Sequence, residues 1–148
     1  MKDIRVQTIA WDSPAGDDAR RIRMTVFVDE QRVPPEIELD EIDPVAHHVL
    51  TSDAESGNAL GTARLYEYEP GVGRIGRMAV LSEARDRGVG GAMMQALIEE
   101  CRDRGWRKVV LDSQIRAIPF YARYGFTVCG PEHMDAGIPH KLMSLDLE

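Results

Sequence analysis

The sequence predicts a mixed α/β (α+β) fold, a mixed sheet with helices on both faces. Three observations carry this. RIGRMAVL (74–81) and KVVLDS (108–113) read as strands on either side of a helical stretch, a unit long enough for a parallel crossover. AHHVLTSD (46–53) and ALGTARLYEYE (59–69) flank ESGN (55–58), a hairpin signal. IRVQTIAW (4–11) and HKLMSLDL (140–147) alternate apolar and polar residues, the period of a half-buried strand.

Between the strands, helix signals are equally local. Ser13 and Pro14 mark a start, as cap and first-turn residue, and Ala19, Ile22, Val26 and Phe27 then share one face. Pro34-Pro35 cannot continue that helix, so residues 33–45 are expected as a loop with a short helical turn. A second helix over about 88–104 places Val89, Ala92, Met93, Ala96, Leu97 and Cys101 at helical spacing, and Gly105 suits a left-handed stop. KVVLDS is nearly all apolar, as a central strand should be. AIPFYARYG (117–125) reads as a short helix with Pro119 in its first turn and Gly125 at its end, and FTVCG (126–130) as a strand.

The length of 148 residues suits one domain over 1–148, able to bury a core without disulfides. No apolar run reaches about 18 residues, and the N-terminus lacks the apolar centre of a leader, so neither a membrane span nor export is expected. Cys101 and Cys129 have no metal-ligand spacing; a reduced, cytoplasmic protein without metal is the simplest expectation. A net charge of −7 argues against nucleic-acid binding, which rests on phosphate neutralisation. The charge is uneven: residues 29–43 hold seven acids and one arginine. Such a segment is either a solvated loop or an attractor of cations.

ARDRGVGGAMM (84–94) puts Arg85 and Arg87 beside Gly88, Gly90 and Gly91 at the mouth of a helix. A helix N-terminus presents unpaired N–H groups and partial positive charge, and glycine lets an anion reach them, so a phosphorylated ligand fits. A dinucleotide fingerprint would need glycine where Met93 stands, and a P-loop would need Gly-Lys-Ser/Thr, which is absent. Taken alone, a plain glycine-rich helix start with solvated arginines fits as well as phosphate binding.

The spacing Arg85-x-x-Gly88-x-Gly90 resembles the (Gln/Arg)-x-x-Gly-x-(Gly/Ala) signature of the GNAT superfamily of acetyltransferases, and RIGRMAVL sits where that family's central strand precedes it. QIRAIPFYARYGF (114–126) resembles the family's Asn-x-x-Ala-x-x-x-Tyr-x-x-x-Gly-Phe stretch, with Gln114 in place of Asn and Ala117, Tyr121 and Gly125-Phe126 matching. RMTVFVDEQRVPPEIELDEIDPVAHHVL, IPFYARYGF and GIPHKLM are similar to the ElaA-like branch. The Phe-x-x-Glu element also resembles acyl-homoserine lactone synthases, which share the fold and are usually longer.

The resemblance implies a GNAT-like acyl-CoA N-acyltransferase fold, its central mixed, mostly antiparallel sheet flanked by helices. It implies acetyl-CoA as co-substrate and acetyl transfer to a primary amine, small molecule or protein. The pyrophosphate would lie on Arg85, Asp86, Arg87, Gly88, Val89, Gly90 and Gly91. The pantetheine arm would pair with Met78, Ala79 and Val80, with an irregularity near Gly76 exposing an N–H to the thioester carbonyl. Gln114 would reach the cofactor. Tyr121 is the expected proton donor to the leaving thiolate, since a phenol's pKa near 10 is close enough to a thiol's. Glu30 is the candidate base, with a solvated acid as its other reading; His47 and His48 are expected as structural. The acid-rich 29–43 segment favours a cationic acceptor. Association into homodimers stays open, and a CoA-binding sensor without turnover is the alternative reading.

Overall fold

The computed structural model describes residues 3–147. β1 (Ile4–Ile9) leads into α1 (Pro14–Arg23), where the Ser13 hydroxyl accepts the Gly16 N–H at 3.1 Å and caps the helix. α1 does not stay α-helical up to the prolines. Met24–Glu30 widen into a π-helix, and Arg32 at φ 64° turns the chain out of it. α2 (Pro35–Glu38) is the short turn expected within 33–45. The hairpin follows as β2 (His47–Asp53) and β3 (Ala59–Glu69), then β4 (Val72–Val80) and α3 (Val89–Asp103). β5 (Lys108–Gln114), α4 (Ile118–Ala122), β6 (Thr127–Val128), β7 (His133–Asp135) and β8 (Ile138–Asp146) complete the chain. Gly105 and Gly125 take φ 74° and 95° after the two helices they were expected to close.

The sheet runs β1-β2-β3-β4-β5-β8-β6, with β7 beside β8. Among the described residues β4–β5 is its one parallel pair. β8 inserts between β5 and β6, and β7 is a strand that the sequence did not announce, because three residues are too few to show a period. Helices cover both faces. Ala19 and Ile22 of α1 pack with Leu50 and Ala79 on one. Met93 and Leu97 of α3 pack with Leu65, Ile75, Val109 and Leu111 on the other. No helix among the described residues is long and apolar enough to cross a membrane.

Two irregularities in β4 position the site. β3 pairs with β4 as Thr62↔Ala79 and then Arg64↔Gly76, so Arg77 and Met78 together oppose Ala63. The bulge expected at Gly76 therefore falls one residue later, on Arg77, which takes φ 52°. Second, β4 and β5 pair only from Val72↔Lys108 to Ile75↔Leu111. Beyond that point β4 stays with β3, β5 stays with β8, and a cleft opens between them.

Candidate active site

The cleft is a cavity of about 840 Å³. Gly76, Met78 and Val80 line its β4 side; Asp112, Gln114 and Tyr121 line the other; Phe27 and Gln31 from the π-helical segment close over it.

The open edge of β4 follows from strand alternation. The Leu81 N–H donates to the Leu60 carbonyl at 2.9 Å, so Ala79, two residues back, also directs its backbone groups at β3. Met78 and Val80 direct theirs into the cleft. The Val80 carbonyl accepts Arg85 Nε at 3.0 Å, which leaves the Met78 N–H, the Met78 carbonyl and the Val80 N–H for a ligand. Ala79, expected at this edge, instead pairs with Thr62 and buries its methyl under α1.

At the end of β4 the chain makes a 3₁₀ turn over Ser82–Ala84 and enters α3 through Gly88, at φ 76° and without a side-chain cap. Among the described residues the N–H groups of Gly88, Val89, Gly90 and Gly91 have no acceptor. Asp86 is exposed beside them. Arg85 is half exposed and pairs with Glu30 at 2.6 Å. Arg87 points elsewhere: it pairs with Asp3 and Asp53, both at 2.8 Å, and ties this turn to the β1–β2 edge. The glycines also have a packing reason. A Cβ at Gly90 would sit 3.2 Å from the Phe120 ring, and one at Gly91 would collide with the Tyr124 hydroxyl, so both let α4 lie against the first turn of α3. At Gly88 the same position faces open space.

α4 carries Tyr121 into the gap between the strands. Its hydroxyl lies 4.0 Å from Met78 Sδ, and its ring meets Phe120 edge-on at 5.1 Å. Burial pushes the phenol up to about 12, so it holds its proton. Gln114 Nε2 donates to Gln31 Oε1 at 2.8 Å, while its Oε1 accepts Arg116 Nε at 3.1 Å, so the residue spans from β5 to the π-helical segment. Glu30 does not join this group. It lies beside the glycine turn with its carboxylate on Arg85, outside the residues that line the cleft.

The acetyltransferase (GNAT) domain model matches residues 18–147. This chain belongs to the GNAT acetyltransferase family. It is 39% identical over 130 residues to the uncharacterised N-acetyltransferase YjcF of Bacillus subtilis, covering 87% of this chain and 91% of that one. The crystal structure of Escherichia coli ElaA superposes with a TM-score of 0.81 at 26% identity, covering 96% of this chain and 99% of that one. A GNAT acetyltransferase from Elizabethkingia anophelis, solved with acetyl-CoA bound, shares the fold at a TM-score of 0.74 and 14% identity over 99% of each chain.

In this GNAT chain the acid-rich 29–43 segment is a partner for arginines. Buried Arg23 donates from Nε to Glu38 at 2.8 Å and from Nη1 to Asp43 at 2.7 Å. Arg64 donates to Asp40 at 2.7 Å and to Asp43 at 2.8 Å, and Arg77 donates to Asp40 at 3.1 Å and to the Glu38 carbonyl at 3.1 Å. Three guanidinium groups thus meet three of the segment's seven carboxylates and cancel their charge. Asp29, Glu36 and Glu41 stay exposed, and the expectation of a cationic acceptor rests on these. His48 is structural as expected, stacked on Trp11 at 4.5 Å with Nε2 2.9 Å from the Asp43 carbonyl. The cleft residues missed from sequence include Arg77, Asp112 and His140. Alternation along KVVLDSQ places Asp112 on the face of Gln114 and could have flagged it. Nothing local marks His140, because its place depends on β8 inserting beside β5.

Proposed function

We propose that this GNAT protein transfers an acetyl group from acetyl-CoA directly to a primary amine. The observation that carries this reading is the free edge of β4 and the Tyr121 hydroxyl facing one cleft, which leads back to a row of unpaired N–H groups at the start of α3. Bound there, acetyl-CoA supplies an activated acyl group and a sulfur leaving group. The N–H groups of 88–91 and the Arg85 guanidinium suit its phosphates. The backbone of Met78 and Val80 suits the amide groups of its arm, and an N–H at the Arg77–Met78 bulge suits the acyl oxygen. Tyr121 keeps a proton at its hydroxyl for the departing sulfur. The acceptor is an amine, small or on a protein, entering from the α1 face of the sheet.

The test is Tyr121→Phe. Acetyl-CoA affinity by calorimetry should stay within about twofold, while kcat should fall by roughly 10²-fold or more, the contribution of a positioned proton donor. A kcat within about threefold of wild type, under conditions where chemistry limits the rate, would reduce Tyr121 to packing.

A further inference from the structure

We propose that His140 is the general base that takes the proton from the acceptor amine, a role that rests on the acyl-transfer reading above. His140 is 8% exposed and lines the cleft from β8. Its Nδ1 lies 2.7 Å from the Ile138 carbonyl. A carbonyl only accepts, so Nδ1 carries the hydrogen and Nε2 keeps its lone pair. Among the described residues Nε2 makes no hydrogen bond, and it is not sealed from the cleft. A buried imidazole fixed in one tautomer by the backbone, with its lone pair unengaged, is what amine deprotonation requires.

The sheet puts this ring on the correct face. Val109 and Leu111 point into the core under α3, so Asp112 and Gln114 point to the α1 face. His140 sits directly opposite Gln114 and shares that face. The other candidates are engaged elsewhere. Glu30 is on Arg85, His48 is on the Asp43 carbonyl, and His133 binds Asp112 at 2.8 Å from the exposed rim. An ammonium acceptor gives one proton to Nε2. Its nitrogen then bonds the acyl carbon as the carbon–sulfur bond breaks, and the sulfur takes the Tyr121 proton. The nitrogen's second proton restores Tyr121 through solvent, and Nε2 releases its own proton to solvent, leaving amide, thiol and one free proton.

The experiment compares wild type, His140→Gln and His133→Gln with the best amine from a panel. His133 on β7 stands directly opposite His140, and Asp112, Asp135 and Arg116 line the same cleft, so the His133 variant controls for a neighbour's titration. His140→Gln should keep acetyl-CoA affinity, lose about 10²-fold in kcat/KM, and lose the acid limb of the kcat/KM–pH profile. His133→Gln should keep that limb. If wild type releases no thiol with any amine, the acyl-transfer reading itself fails. If wild type turns over and His140→Gln keeps kcat/KM within threefold with its acid limb intact, the assignment to His140 is overturned. Should that variant not fold, ¹⁵N NMR of wild-type imidazoles decides. An Nδ1–H tautomer titrating in step with kcat/KM supports the role, and an Nε2–H tautomer overturns it.

Discussion

Asp43 is fully enclosed between Arg23 and Arg64. Burial alone would raise its carboxyl, but hydrogen bonds from Arg23, the Asp40 N–H and Arg64 hold it at about 2. Its folded value lies below the ordinary 3.8, so the stabilisation is complete above the carboxyl range and is lost as pH falls from there towards 2. Glu38 goes the other way, raised by burial despite Arg23, so it does not add to this acid sensitivity. Asp43→Asn should destabilise by about 3–5 kcal/mol at pH 7 in urea unfolding, because Arg23 and Arg64 lose a buried partner. The gap to wild type should narrow near pH 2, and a constant gap would contradict the coupling. Tyr121 carries the opposite sign. A phenol raised to about 12 stays protonated through the assay range, so kcat should show no basic limb of its own between pH 7 and about 10. A limb there that vanishes in Tyr121→Phe would show an ordinary phenol. Tyr121 and the glycine turn were legible because their spacing is local. The pairing of Asp43 with Arg64 was not, since it joins residues 21 positions apart.

Among the elements, β4 departs furthest from regularity. Arg77 is strained at φ 52°, and its guanidinium anchors the bulge to the 37–40 segment through Ile37, Glu38 and Asp40. Arg77→Ala and Arg77→Gly both lose those contacts, but glycine takes positive φ without a Cβ clash. The glycine variant should therefore be more stable than the alanine one by about 1 kcal/mol. Equal midpoints in thermal unfolding would mean that the backbone relaxes on losing the side chain. The contact of Gly90 with Phe120 alters what its substitution reports: Gly90→Val should press on α4, which carries Tyr121, and lower kcat as well as acetyl-CoA affinity. Loss of affinity with kcat unchanged would mean that Phe120 gives way. The β4–α3–β5 unit could be read from sequence because its periods switch cleanly. The bulge was expected at Gly76, the obvious weak point, but its exact place was not legible, because the strain falls on the neighbour, Arg77.

For the whole molecule, the question is whether the acidic surplus acts at a distance. Glu38, Asp40 and Asp43 are consumed in the arginine network, whereas Glu36 and Glu41 are exposed and make no ion pair among the described residues. Neutralising Glu36 and Glu41 together should leave kcat/KM for the best amine within about twofold, with an unchanged salt slope, since surface charges are screened beyond about 8 Å at physiological ionic strength. A large loss that salt reproduces would show electrostatic attraction of the acceptor to this loop. Composition showed the surplus but not where it is cancelled, which depends on arginines from α1, β3 and β4. Acyl transfer from a CoA thioester to an amine in the β4–β5 cleft is the proposed activity. The most direct measurement is thiol release from acetyl-CoA across an amine panel, with mass spectrometry of the amines. The expected result is amine-dependent thiol release matched one-to-one by acetylated amine. Tight acetyl-CoA binding with no amine-dependent release for any member would contradict it and leave a CoA-binding protein without turnover.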